Sequence, residues 1–380
     1  RDTDRSRGLG DVYKRQSIGR YHVLDLAREL SQCGHDVKFY SVYSDKKVAK
    51  YELKKECNCS IAFFLFPFRL LGRLFPKSKR VELLMYQACD LFMSWYIRPC
   101  DLLICMSGIY CYAIKKAKKR GENIILERGS KHILEQKKIL ESIASVQDKV
   151  QILDAIVKRE LKGYELADYI SVGSEHVKQS FLINGYPIEK LFINPYGVNL
   201  ENFYPINDSQ RNYDVIMTGN WSLQKGCDLL IEACKRMNLR LLHIGHLVDL
   251  SFPCSGTMQH IHFVEQKELV CYYSQAKIFV LPSRQEGLAM VQAEALACGL
   301  PIVFSQHTGG RDIMSVTGLN QWGFEMQEYT LECLCDCISR ALEFEKICKR
   351  SEIACRLADM SWKSYGKRYN DFITKLDYNK

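Results

Sequence analysis

Leu281-Pro282-Ser283-Arg284-Gln285-Glu286-Gly287-Leu288-Ala289-Met290-Val291-Gln292-Ala293-Glu294-Ala295-Leu296-Ala297-Cys298-Gly299-Leu300-Pro301 is the stretch whose reading decides the fold. An apolar strand, Ile278 to Leu281, feeds a loop, and the pattern predicts a helix from about Leu288 to Cys298. Gly299 closes that helix, as a Gly just past the last turn does. Pro301-Ile302-Val303-Phe304 then opens the next strand. A strand–loop–helix–strand unit belongs to a parallel α/β sheet, and the ligand crevice of such a sheet lies at the carboxyl ends of its strands.

Two carboxylates, Glu286 and Glu294, frame the helix. Eight positions at ~1.5 Å rise and ~100° per residue would set them about 12 Å apart along the axis, turned by ~80°. A glycosidase acid/base pair acting on one bond needs roughly 5–9.5 Å, which excludes that chemistry. The separation suits two hydroxyl-rich ends of one extended ligand. Between the carboxylates, the N–H groups of Gly287, Leu288, Ala289 and Met290 open a helix and favour a diphosphate. Sugar at one end, ribose at the other and phosphates at the helix start describe a nucleotide-sugar. The plainer reading is one Glu favouring a helix dipole and one surface Glu.

Upstream, Ser17-Ile18-Gly19-Arg20 leads into a helix with Val23, Leu26, Ala27 and Leu30 on one face, followed by a strand over Val37 to Val42. Ile61 to Phe75 is the most apolar segment; broken by Pro67 and carrying Arg69 and Arg73, it is too short and too charged to span a bilayer. With Lys77, Lys79 and Arg80 after it, it can dock on a membrane interface, the alternative being a buried strand and helix. Strands are expected at Asp101–Met106, Ile124–Glu127, Tyr169–Val172, Tyr213–Thr218, Arg240–Ile244 and Ile261–Val264. A glycine loop, Gly219-Asn220-Trp221-Ser222-Leu223-Gln224-Lys225-Gly226, follows the strand at Tyr213 and precedes a helix from Cys227 to Met237. Pro195 and Gly197 punctuate the chain as a domain boundary would.

With these surroundings, the 281–301 run resembles the donor-site signature of family 4 retaining glycosyltransferases (bacterial glycosyl transferases group 1), and the resemblance extends over most of residues 17–373. It implies an α/β protein of GT-B type: two Rossmann-like domains facing across a cleft, with a C-terminal helix crossing back to the first. The boundaries it suggests are an acceptor-side domain at 17–196, joined by the crossing helix at 361–380, and a donor domain at 197–360. Glu286 would hold sugar hydroxyls, Glu294 the ribose diol, and Lys225 the diphosphate, with Gly219 and Asn220 in the same loop. Asn220 stands where the family has an Arg, so one cation is missing; Arg284 or Arg128 is the expected substitute. On the acceptor side the resemblance points to Gly19 in the first glycine loop, to Arg128 just before Gly129, and to His132.

The implied reaction moves a sugar from a nucleoside diphosphate to an acceptor hydroxyl with retention, Glu286 and Lys225 being the catalytic pair. Front-face attack lets the leaving phosphate take the acceptor's proton. No cofactor and no metal are expected, because the only Asp-x-Asp, Asp2-Thr3-Asp4, lies in residues 1–16. Those sixteen residues are polar and aperiodic and read as a foreign leader, whereas the family places a hydrophobic strand immediately before its first glycine loop. Two readings of the same fold stay open: a nucleotide-sugar epimerase, and a non-catalytic partner subunit.

A chain of 380 residues with 47% hydrophobic content is long enough for two such domains. Its 17 cysteines include no Cys-x-x-Cys pair and follow no secretory signal pattern, so they are expected as small buried apolar groups in a reducing cytosol. Residues 17–195 hold 29 Lys and Arg against 20 Asp and Glu, whereas 196–380 hold 19 against 21. The basic half suits an anionic membrane surface or a lipid pyrophosphate, or simply solubility. Expected partners are therefore a nucleoside-diphosphate-sugar donor, a saccharide or lipid-linked acceptor and an anionic membrane surface. Nucleic acid is not expected, since no aromatic–basic motif of that class occurs. The expected location is cytoplasmic, at the inner face of the cytoplasmic membrane.

Overall fold

The computed structural model describes residues 22–75, 78–143, 152–206, 210–353 and 356–376. The leader 1–16, Gly19 and Lys77 lie outside the described residues. The described residues divide into two compact units, one running from Val198 to Ala358, the other combining those up to Gly197 with those from Asp359 onward.

The unit ending at Gly197 holds strands β1 (Phe39–Ser41), β2 (Asn58–Ser60), β3 (Leu102–Met106), β4 (Asn123–Arg128), β5 (Tyr169–Val172) and β6 (Leu191–Ile193). All pairings are parallel: β1 with β2, and β3-β4-β5-β6 in that order. Ile124, Ile125 and Leu126 of β4 are fully buried in succession, as befits a strand covered by helices on both faces. The helix Cys111–Lys119 starts without a capping side chain of its own. Buried Asp90, from the helix Lys79–Tyr96, accepts instead from the N–H groups of Cys111, Tyr112 and Ala113 at 2.9–3.0 Å and pairs with Arg159 at 2.7 Å. A carboxylate on a helix N-terminus satisfies donors that the helix itself cannot.

Ile61 to Phe75 departs from the buried strand and helix that is the alternative reading of its sequence. It forms neither strand-plus-helix nor a buried element: a single helix, Ala62–Leu74, contains Pro67. Leu65 is buried, whereas Phe63, Phe66, Leu70 and Leu74 recur on one stripe and face solvent, Phe63 being 85% and Phe66 65% exposed. The neighbouring helix Lys79–Tyr96 adds Leu84, Leu91 and Trp95, the last 66% exposed. No helix among the described residues is long and apolar enough to cross a membrane.

The helix Trp362–Ile373 belongs to this same unit and packs on the helix His22–Gln32. Gly366 makes that approach: a Cβ there would stand 2.2 Å from Cβ of Glu29. Arg368 ties the same helix to β6's exit, donating to Asn194 at 2.8 Å and to the Pro195 carbonyl at 2.7 Å.

The unit from Val198 to Ala358 holds β7 (Tyr213–Thr218), β8 (Leu241–Ile244), β9 (Met258–Ile261), β10 (Ala276–Leu281), β11 (Ile302–Ser305) and β12 (Gly323–Met326). They form one parallel sheet in the order β12-β11-β10-β7-β8-β9. Chain order reverses between β7 and β10, and ligand crevices of doubly wound sheets form at such a switch point. Several expected boundaries shift, two of them by two or three residues in this unit. The strand expected at Ile261–Val264 lies earlier, at Met258–Ile261, and the expected helix from Leu288 starts at Met290, running to Ala297. All cysteines among the described residues are free thiols, and burial raises those of Cys105, Cys227, Cys234 and Cys298 well above the ordinary range.

Replacing Gly366 by Ala should destabilise the protein by about 1–3 kcal/mol, the usual cost of overpacking a close helix contact. Thermal melting checks this. An unchanged midpoint would mean that the two helices can separate freely.

Candidate functional site

The candidate site lies at the carboxyl ends of β7 and β10, on either side of the switch point. Three loops converge there because specific backbone contacts hold them. Gly219 ends β7 at φ +117°, and its carbonyl accepts from Nε2 of His243 at 2.9 Å. Burial pushes His243 down to about 4, so the ring is neutral at pH 7 and carries a single N–H. That N–H faces a carbonyl, so Nδ1 is the acceptor for Nδ1–H of His260, 2.9 Å away on β9. Gly245 must be glycine, since a Cβ there would stand 1.8 Å from the Gly219 oxygen.

The loop after β7 is bound to the loop after β10. Gly226, at φ +71°, brings the start of helix Cys227–Arg236 against the Pro282 carbonyl, leaving 2.0 Å for any Cβ. Arg284 N donates to the Gln224 carbonyl at 2.8 Å, and Gln224 Nε2 donates to the Gln285 carbonyl at 3.0 Å. With the two loops so laced, Lys225 Nζ forms an ion pair with Glu286 Oε1, and both side chains are less than a fifth exposed. Ser283 Oγ donates to the same carboxylate oxygen at 3.1 Å.

Glu286 therefore lies in a loop ahead of the helix, so the helical spacing expected between Glu286 and Glu294 does not apply. The loop is pinned from β11's side: Glu286 N donates to the His307 carbonyl at 2.9 Å and Ala289 N to the Thr308 carbonyl at 3.0 Å. Of the N–H groups expected to meet a diphosphate, that of Ala289 is thus engaged within the protein. Gly287, Leu288 and Ala289 are buried, and Met290 is partly exposed at the first position of the helix.

Glu294 sits on the helix Met290–Ala297, 6% exposed. Its Oε1 accepts from Gln266 Nε2 at 3.0 Å and its Oε2 faces the Tyr273 hydroxyl at 3.5 Å. Burial, then the Glu294 charge, raise Tyr273 well above its ordinary range, so it remains a donor; Thr218 at the end of β7 completes the chain at 2.8 Å. Sequence reading did not single out Gln266, Tyr273, Thr218, Ser283 or His243. Only Thr218 and Ser283, flanking quoted motifs, carried a local signal.

Arg284 is not available as the substitute for the missing cation. Its guanidinium makes a bidentate pair with Asp228 at 2.6 and 2.7 Å and lies over the Tyr329 ring. Asn220, half-buried, keeps the position alone. Arg128 cannot substitute either: in the other unit it is buried and pairs with Glu160 at 2.7 Å, Gln136 at 2.6 Å and the Lys131 carbonyl at 2.8 Å. His132 is buried between Tyr164 and Phe181 and opens the helix Ile133–Ser142; burial, then the Arg128 charge, lower it to about 4. Beside them Glu127, fully buried, pairs with His22 at 2.7 Å and accepts from the Tyr369 hydroxyl at 2.6 Å. Among the described residues no group of three or more His, Cys, Asp or Glu is placed to hold a metal ion.

The family model for glycosyl transferases group 1 matches residues 212–343, from β7 into the helix Leu331–Ile347. An uncharacterized glycosyltransferase of Methanocaldococcus jannaschii is 31% identical over 131 residues, covering 33% of this chain and 36% of that protein. The amylovoran biosynthesis glycosyltransferase AmsK of Erwinia amylovora is 26% identical over 146 residues, covering 33% and 36%. The chain thus spans little more than a third of the length of these curated relatives. The fold is similar to that of Anabaena HepE, solved in complex with UDP and glucose, with a TM-score of 0.62, 12% identity and coverage of 93% of this chain and 95% of that one. Residues 212–343 therefore match the glycosyl transferases group 1 family, in a chain whose fold is of the GT-B type.

Proposed function

We propose that this chain transfers a sugar from a nucleoside-diphosphate donor to an acceptor hydroxyl with retention, in the assembly of a cell-surface polysaccharide or glycolipid. The unit from Val198 to Ala358 holds the donor, and the unit ending at Gly197 serves the acceptor. The observation that carries this reading is the Lys225–Glu286 pair at the sheet's switch point, next to a helix N-terminus. A lysine paired with a carboxylate is a charge held ready for exchange: a diphosphate competes for Lys225 and releases Glu286 to accept from sugar hydroxyls. Gly219 lets phosphate approach bare backbone, the amide of Asn220 donates where a cation is lacking, and the N–H group of Met290 at the helix start adds the helix dipole. Glu294, oriented by Gln266 and Tyr273, accepts from the ribose diol. Leaving-group charge is then met by Lys225 and oriented backbone, with no divalent cation required. The amylovoran enzyme's name and the UDP and glucose of the HepE complex are consistent with such chemistry.

The solvent-facing stripe Phe63, Phe66, Leu70 and Leu74, with exposed Arg80 and Arg98 in the same unit, supports docking at an anionic membrane surface, where a lipid-linked acceptor would reside.

Lys225→Ala should lower kcat by on the order of 10²–10³, while EDTA leaves the wild-type rate unchanged. Single-turnover assays over UDP-, GDP- and ADP-sugars measure both; a wild-type rate in the variant rejects the donor-site assignment. Glu294→Ala should act mainly on donor KM and Glu286→Ala mainly on kcat, because sugar positioning matters most in the transition state. A reversed split would exchange the two roles. Flotation with anionic vesicles should recover the protein at low salt, and recovery should fall when Phe63 and Phe66 become Ser or when Lys77, Lys79 and Arg80 become Gln. Equal recovery on neutral and anionic vesicles would remove the electrostatic part.

A further inference from the structure

In the unit from Val198 to Ala358, the backbone that leaves β7 is held by its neighbours almost group by group. Gly219 N donates to the Ile244 carbonyl at 2.9 Å and Trp221 N to the His246 carbonyl at 2.7 Å. Sγ of Cys227 accepts from Ser222 N at 3.4 Å, and Oδ1 of Asp249 accepts from Leu223 N at 2.9 Å. The N–H of Asn220 has no partner among the described residues, and Asn220 is half-buried rather than enclosed. One open donor thus stands in a row of engaged ones. Its direction follows from the carbonyl of the same peptide. In a trans peptide the C=O and N–H point opposite ways, and no cis bond occurs among the described residues. The Gly219 carbonyl accepts from Nε2 of His243 on β8 at 2.9 Å, and Gly245, just past β8, leaves room for it. β7 lies between β8 and β10. The N–H of Asn220 is therefore turned away from β8, to the side of the switch point where Lys225 meets Glu286. Gly219, at φ +117°, has the conformation that this turn requires.

We propose that His243 and His260 are positioning residues for the donor's diphosphate: through the Gly219–Asn220 peptide they aim the main-chain N–H of Asn220 at a phosphate oxygen. This assignment rests on the donor-site reading, and it supplies a fixed donor at the position where Asn220 brings no cation. The carbonyl of Gly219 needs the tautomer of His243 that carries its proton on Nε2, and His260 selects that tautomer. β8 and β9 pair His243 with His260 in register, so the two rings share one face of the sheet. Nδ1 of His260 stands 2.9 Å from Nδ1 of His243 and donates to it. Burial lowers both rings, His243 to about 4, so neither is charged at pH 7 and the peptide is held by hydrogen bonds alone. Packing fixes the His243 ring, whose centroid lies 4.6 Å from that of Trp221 and 5.9 Å from that of Phe252. A hydrogen bond accepted by a carbonyl polarises its peptide and strengthens donation from the N–H at the other end. Such an N–H, aimed before the ligand arrives, meets phosphate charge without reorganising.

Gly219-Asn220 is the only Gly-Asn pair in the chain, so protein labelled with heavy carbon at glycine carbonyls and heavy nitrogen at asparagine reports the Asn220 amide by itself. UDP, GDP and ADP are titrated, each beside its parent nucleoside, into the wild-type protein and into His243→Leu, His260→Leu and His243→Gln. In the wild type, the diphosphate that binds should move the Asn220 amide proton downfield, and its nucleoside should not. Both leucine variants should bind that diphosphate about tenfold more weakly, the worth of one hydrogen bond to a charged group, with the nucleoside's affinity unchanged. His243→Gln, whose amide can donate from near the place of Nε2, should restore most of the loss. On histidine-labelled wild-type protein, His243 should carry its proton on Nε2 and show a scalar coupling to Nδ1 of His260 across their hydrogen bond. That spectrum and the Asn220 titration decide the matter even where a leucine variant fails to fold. A proton on Nδ1 of His243, undiminished diphosphate affinity in folded leucine variants, or equal losses for diphosphate and nucleoside would overturn the proposal. Diphosphate binding that leaves the Asn220 amide unmoved removes this assignment alone, whereas a wild-type protein that takes up none of the three diphosphates removes the donor-site reading and this assignment with it.

Discussion

The contact between Gly226 and the Pro282 carbonyl is the constraint on which the candidate donor site depends. No side chain fits between them, so the loop after β7 can lie directly on the loop after β10. The contacts between those two loops follow from that closeness. Lys225 meets Glu286, Arg284 reaches back to Asp228, and Gln224 bonds to Gln285 across the switch point. The Lys225–Glu286 pair is partly buried and offsets the desolvation of both charges, and yet it stays open to exchange with an anionic ligand. Rigid lacing around an exchangeable ion pair is a physical basis for holding phosphate groups in register.

Glycine at two further places works with histidine rather than with lysine. His243, kept neutral by burial, donates to the Gly219 carbonyl and so fixes the direction of the peptide at the end of β7. Gly245 leaves room for that carbonyl. The backbone that a phosphate would approach is thereby oriented by residues far from any motif. Tyr273 and Gln266 do the same for Glu294.

Charge is handled differently in the unit ending at Gly197. Asp90, Glu127, Arg128 and Glu160 are buried, and each is paired: Asp90 with Arg159 and a helix N-terminus, Glu127 with His22 and Tyr369, Arg128 with Glu160 and Gln136. Removing one partner from such a network leaves an uncompensated buried charge, so these groups act first as architecture. The same unit turns an apolar helix stripe, Phe63 to Leu74, toward solvent. Polar groups inside and apolar groups outside are the two departures from ordinary partition that this unit shows, and only the second suggests a surface to be covered.

The sequence by itself determined the alternation of strands and helices, the parallel α/β class and the position of the main motifs on loops after strands. Those features rest on local periods and on Gly and Pro, which act over a few residues; Tyr213–Thr218 and Tyr169–Val172 have the bounds that their periodicity predicts. Only the tertiary structure decided which side chains meet. The helical spacing between Glu286 and Glu294 fails because bonds of Glu286 N to the His307 carbonyl and of Ala289 N to the Thr308 carbonyl hold a loop there, and nothing local announces those bonds. Arg284 looked like a free cation until Asp228, 56 positions away, took it up. Arg128 and His132 looked like loop residues, yet the packing of Glu160, Gln136, Tyr164 and Phe181 buried them. In the segment Ile61 to Phe75, hydrophobicity alone could not tell burial from exposure, because composition states how much apolar surface exists and only packing states which part of it is covered.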